Sequence, residues 1–117
     1  MKTLESTDQK AVVSYLRKNK IFFFAPIGEN PYSKYVPKKR LFAIQAELKM
    51  MGSLRGVPDL VIMLPNCLLY LELKRIKDGR VSKEQTEFLN KAKELDYARV
   101  AVGYGYEHAI EIIEGLK

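Results

Sequence analysis

Asp59, Glu72 and Lys74 are the residues of this sequence best suited to do chemistry. Asp59 opens the apolar run Leu60–Leu64, Glu72 and Lys74 end the run that begins at Cys67, and Pro65-Asn66 lies between the two. Two such runs joined by turn formers read as an antiparallel hairpin. A two-residue loop sets Leu64 against Cys67 and a four-residue loop sets Met63 against Leu68; both registers bring Asp59 opposite Glu72. Pro65 cannot take the positive φ of a type I′ turn, which favours the four-residue loop. Opposed Cβ atoms lie about 4.5–5.5 Å apart, and two carboxylates at that separation repel unless a divalent cation neutralises them. Lys74 projects from the same face as Glu72, while Leu69, Leu71 and Leu73 face the other way. Carboxylate oxygens select a hard ion, magnesium or manganese. With one cysteine, Cys67, and one histidine, His108, the chain lacks the soft ligands of a zinc site. The competing interpretation is an exposed salt-bridge cluster on the polar face of an ordinary sheet.

The elements that must hold these residues can be read from periodicity. Val12, Val13 and Leu16 predict a helix from Ser6 to about Asn19, with Ser6 and Gln9 in the form of a capping box. Ile21–Ala25 is short and aromatic, as a buried strand is. From Pro26 to Pro37 the density of Pro, Gly and Asn predicts a long loop, whose Tyr32 and Tyr35 flank Lys34 and could stack on bases. Leu41, Ile44, Leu48 and Met51 predict a helix from Lys38 to Met51, stopped by Gly52. After the hairpin, Ser82-Lys83-Glu84-Gln85 opens a third helix with Gln85, Phe88, Leu89 and Ala92 inward. Arg99–Tyr104 reads as the last strand. Tyr106 to about Leu116 reads as a closing helix, with His108 on its surface. The order predicts an α/β sandwich with a mixed sheet.

With 117 residues, 47% hydrophobic and 29% charged, the sequence fits one globular domain over 1–117 and excludes a disordered or collagen-like chain. No apolar run approaches the roughly 18 residues of a membrane span, and Met1–Ser6 offers no signal-peptide core, so a cytoplasmic location is expected. A single cysteine excludes internal disulfides. The net charge of +6 is concentrated in two stretches. One holds Lys34, Lys38, Lys39, Arg40, Lys49 and Arg55 around Glu47. The other holds Lys74, Arg75, Lys77, Arg80 and Lys83 around Asp78. Such stretches suit a polyanion, because each neutralised phosphate releases counterions; the plain alternative is a solvated basic face.

Gly56-Val57-Pro58-Asp59, Glu72-Leu73-Lys74 and then Gln85 resemble the PD-(D/E)xK nuclease signature, and their spacing is closest to the virus-type replication-repair nuclease (VRR-NUC) domain. The resemblance runs from Glu5 to about Val102. It implies a restriction-endonuclease-like α/β core, a mixed sheet flanked by helices in the order αβ(α)ββαβα, with the helix from Lys38 as an insertion. It implies a metal-dependent DNA endonuclease of phage or prophage type, acting as a homodimer on branched DNA such as four-way junctions, in the host cytoplasm if phage-encoded. Asp59, Glu72, the Leu73 carbonyl and Glu5 would ligate Mg2+ or Mn2+, and Lys74 would hold or activate the attacking water. Gln85 and Gln9 would line the site. Glu5 has a second reading as a carboxylate favouring a helix N-terminus, and Gln85 as the capping partner of Ser82. Lys34, Lys38, Lys39, Arg40, Arg55 and Arg75 are assigned to phosphate contact by charge alone. Leu41, Phe42, Ile44 and Leu48, or the final helix, are the candidate dimer surfaces. Two other functions fit the same residues: a nucleic-acid-binding module without cleavage, and a nicking or flap nuclease indifferent to junctions.

Overall fold

The computed structural model describes residues 4–26 and 36–117, with Leu4 and Glu5 described in backbone only. The elements run α1 (Leu4–Lys18), β1 (Phe22–Phe24), α2 (Lys38–Met50), β2 (Leu60–Met63), β3 (Leu68–Lys74), α3 (Lys83–Ala92), β4 (Ala98–Tyr104) and α4 (Tyr106–Leu116). This is the order read from periodicity, and the four strands form one mixed sheet, β1-β2-β3-β4. β1, β2 and β3 are antiparallel, and β4 joins β3 in parallel after the α3 crossover.

Strand alternation sorts the sheet into two faces. Leu60, Ile62, Leu69, Leu71 and Leu73 point to one face and pack with Val12 and Leu16 of α1 and Ala109 and Ile113 of α4 into the main core. Tyr70, Glu72 and Lys74 point to the other, where α3 docks with Phe88 edge-on to Tyr70 at 5.6 Å between ring centroids. All three candidate residues of the hairpin therefore lie off the apolar core, on the side that α3 only partly covers.

Three expectations are corrected. Ser6 lies inside α1 rather than at its N-cap, since the helix is already under way at Leu4; a Ser-x-x-Gln pattern also fits the half-buried flank of a helix. Among the described residues β1 is an edge strand rather than a buried one, with Phe22 71% and Phe24 48% exposed and Phe23 turned to the core. The final helix is not a free apolar face, because Ala109, Ile110, Ile112, Ile113 and Leu116 are spent on the core. α2, by contrast, buries none of its residues, and Phe42 is 76% exposed. No helix among the described residues is long and apolar enough to cross a membrane.

Candidate active site

The hairpin ladder stops where the candidate chemistry begins. The observed register pairs Met63 with Leu68 and Leu60 with Leu71, and one further step of it would bring Asp59 level with Glu72. The Leu64 N–H donates to the Cys67 carbonyl at 2.9 Å, and hydrogen-bonded pairs alternate from there through Ile62/Leu69 and Leu60/Leu71. The next such pair would be Pro58 and Leu73. Pro58 has no N–H, so the ladder position facing the Leu73 carbonyl offers no donor. The Leu73 N–H donates instead to Asp59 Oδ2 at 2.7 Å. Proline thus breaks the pairing, and the aspartate takes over as acceptor beside the glutamate.

Glu72 is 2% exposed, which is incompatible with a solvated salt-bridge cluster on an open sheet face. Its carboxylate is engaged by a neighbour, while its Oε2 accepts no hydrogen bond among the described residues. Lys74 is half-buried at the next position on the same face, held by the parallel register with Tyr104 and by the Gly105 N–H donating to its carbonyl at 3.0 Å.

The segment leading into Asp59 is pinned from the other side by α3. Gly56 has φ +80°, and a Cβ placed on it would stand 2.4 Å from the carbonyl carbon and oxygen of Glu84 and 2.8 Å from the Gln85 nitrogen. Only glycine fits both the left-handed backbone and the contact. α3 begins with a complete capping box: Ser82 Oγ accepts from the Gln85 N–H at 3.1 Å, and Gln85 Oε1 accepts from the Ser82 N–H at 2.8 Å. Gln85 is therefore the capping partner. It also lines, with Arg55, Gly56, Pro58, Asp59 and Ser82, a cavity of about 380 Å³. Ser82→Ala should cost about 1 kcal/mol of stability and release the Gln85 side chain from its cap, read as a lowered denaturation midpoint.

A second depression, about 620 Å³, reaches Asp59 from α1 and is lined by Gln9, Lys10, Ser14 and Arg17 among others. Gln9, Gln85 and Arg55 are thus brought to Asp59. Glu5 lies in α1 one turn before Gln9, but its side chain is outside the described residues, as are Lys34, Tyr32 and Tyr35. Lys38, Lys39 and Arg40 are exposed on the first turn of α2, and Arg75 is exposed just past β3. Lys10 and Arg17 were not picked out from the sequence, although their spacing of seven on the flank of the Val12/Leu16 stripe is a readable signal. His108 has a local task, its Nδ1 accepting from the Tyr104 N–H at 2.9 Å.

Among the described residues no group of three or more His, Cys, Asp and Glu could hold a metal ion. The donors present are the carboxylates of Asp59 and Glu72 and the Leu73 carbonyl freed by Pro58. This all-oxygen set fits a hard divalent cation and no soft one.

No family model and no curated protein matches the chain. The sheet and its flanking helices form a restriction-endonuclease-like α/β fold. A solved VRR_NUC domain protein has this fold: it superposes with a TM-score of 0.70 over 99% of this chain and 89% of its own, at 18% sequence identity. The likeness expected from the motif residues is thus present in the fold as a whole.

Proposed function

We propose that the chain, as a single domain over 1–117, is a magnesium- or manganese-dependent endonuclease that hydrolyses DNA phosphodiesters, with selectivity for branched DNA such as four-way junctions. The reading is supported by Asp59 Oδ2 accepting from the Leu73 N–H at 2.7 Å, beside the deeply buried Glu72, with Lys74 two residues further along the same strand. Asp59, Glu72 and the Leu73 carbonyl, joined by Glu5, would hold the cation, which when bound neutralises charge on the phosphoryl oxygens. The Lys74 ammonium would orient the attacking water and offset the negative charge that builds on the non-bridging phosphoryl oxygens as the water oxygen bonds to phosphorus and the bond to the leaving oxygen breaks, the water losing its proton to solvent and the leaving oxygen taking one up. Gln9 and Gln85 line the approach, and Arg55 and Arg75 contact phosphates, as does Lys34.

Lys38, Lys39 and Arg40 support a polyanionic substrate in a second way. α2 carries no acidic residue in its first turn, so three cations face the positive end of its macrodipole, a placement that helix stability disfavours and that bound phosphates would offset. Symmetric cutting of a junction needs two sites, and we assign dimer contact to the exposed face of α2 around Leu41, Phe42, Ile44 and Leu48.

The test incubates the protein with labelled four-way junction, flap, duplex and single-stranded DNA in magnesium, manganese or EDTA. Paired, metal-dependent cuts confined to the junction are expected. Cutting of flaps or nicking of duplex to the same extent would discard junction selectivity, and binding without any cutting would favour the non-cleaving module. A monomer by ultracentrifugation, both free and on junction DNA, would remove the dimer. Metal occupancy has its own readout. At tenfold excess over its dissociation constant, magnesium should stabilise the wild type by about 1.4 kcal/mol, a rise of several degrees in melting temperature. Glu72→Gln should abolish that rise.

A further inference from the structure

We propose that the flank of α1 bearing Lys10, Ser14 and Arg17 is the track along which one strand of bound nucleic acid leaves the site; the inference rests on the nuclease reading above and assigns residues that reading does not use. On a helix, Ser6, Lys10, Val13, Ser14 and Arg17 fall on one stripe, beside the buried stripe of Val12 and Leu16. The stripe walls the depression of about 620 Å³ that Asp59 also lines. Open space is therefore continuous from the candidate catalytic aspartate to the last turn of α1.

Its dimensions suit a strand of nucleic acid. The helix from Ser6 to Arg17 rises about 16 Å, the length of roughly five nucleotides at about 3.4 Å each along a duplex axis. Lys10 and Arg17 are about 10 Å apart along the same axis, a spacing of about three phosphates. The stripe's charged members are both cations, and Ser14 adds a hydroxyl between them. The Arg17 guanidinium carbon stands 5.9 Å from the Phe23 ring centroid, so β1 holds the far end of the track in place by a cation–π contact. A buried or acidic flank would suit a protein partner. A shallow cationic groove running out of a carboxylate site suits a phosphate backbone.

The experiment measures binding of labelled junction and duplex DNA by fluorescence anisotropy in EDTA, across a salt series, so that cleavage plays no part. Each of Lys10→Gln and Arg17→Gln should flatten the dependence of log affinity on log salt by about 0.9, and the pair by about 1.8. Arg17→Lys keeps the charge and should keep the slope. Lys117→Gln, whose ammonium sits over Tyr15 on a different flank of α1, removes the same charge outside the groove and should leave the slope alone. A single methylphosphonate within about five nucleotides of the cut should weaken wild-type binding and have no further effect in Arg17→Gln. The proposal is overturned if wild type does not bind at low salt, if the groove variants keep the full slope, or if Lys117→Gln lowers it equally. Absence of cleavage with these binding effects intact would count against the nuclease reading and leave the track standing.

Discussion

Lys74→Met should lower metal-dependent DNA cleavage by at least about a hundredfold while leaving the thermal midpoint within a few degrees of wild type. The side chain is half-buried at the end of β3 with its main chain tied to Gly105, so an apolar chain of similar length keeps the strand packing and removes only the ammonium. Asp59 needs two variants to separate structure from chemistry. Asp59→Ala deprives the Leu73 N–H of its acceptor and should cost about 1–3 kcal/mol besides losing activity. Asp59→Asn retains an oxygen for that bond and should approach wild-type stability, yet lose cleavage to the same degree. If Asp59→Asn cuts junction DNA at the wild-type rate in magnesium, the aspartate is a ladder-ending device and nothing more.

The largest stability effect is expected at Gly56. Alanine there must adopt φ near +80° and place its Cβ 2.4 Å from backbone atoms of Glu84, and neither the strand nor a capped helix start yields easily. A cost of about 3 kcal/mol or more follows, a drop of roughly 10 °C in melting temperature measured by circular dichroism. Relief of the clash requires the segment Gly56–Asp59 to move off α3, which carries the aspartate away from Glu72, so activity should fall further than the melting temperature alone accounts for. Gly52, also at positive φ but with open space around it, provides the contrast: Gly52→Ala should pay the backbone strain, about 1 kcal/mol, and keep its activity.

Much of this arrangement is legible before any coordinates, and the reason differs by element. The hairpin register follows from two apolar runs separated by Pro65-Asn66, since a two-residue and a four-residue loop give the same pairing, and the pairs from Met63–Leu68 to Leu60–Leu71 obey it. The capping box at Ser82 and the span Tyr106–Leu116 are likewise local, set by a side chain three residues away and by apolar spacing of 3.6. What failed was non-local. Ile21–Ala25 has the composition of an interior strand, but whether a strand is central or at an edge depends on which neighbours form, and among the described residues β1 pairs with β2 alone. The pattern at Ser6 imitates a cap because hydroxyl and amide residues also suit the half-buried flank of a helix. Gly56 could be recognised as part of a motif, whereas its steric necessity comes from a helix 28 positions later. The groove along α1 depends on how that helix lies beside the hairpin end, which no periodicity encodes.

The position of α2 also bears on how this chain could diverge. The helix enters between β1 and β2, returns the chain to the sheet, and buries none of its own residues. Substitutions on such a surface typically change stability by no more than about 0.5 kcal/mol. Asp59, Glu72, Lys74 and the capped start of α3 all fall between Asp59 and Gln85, within one hairpin and the helix that follows it. Substitutions in α2 can therefore accumulate without disturbing the packing around those residues.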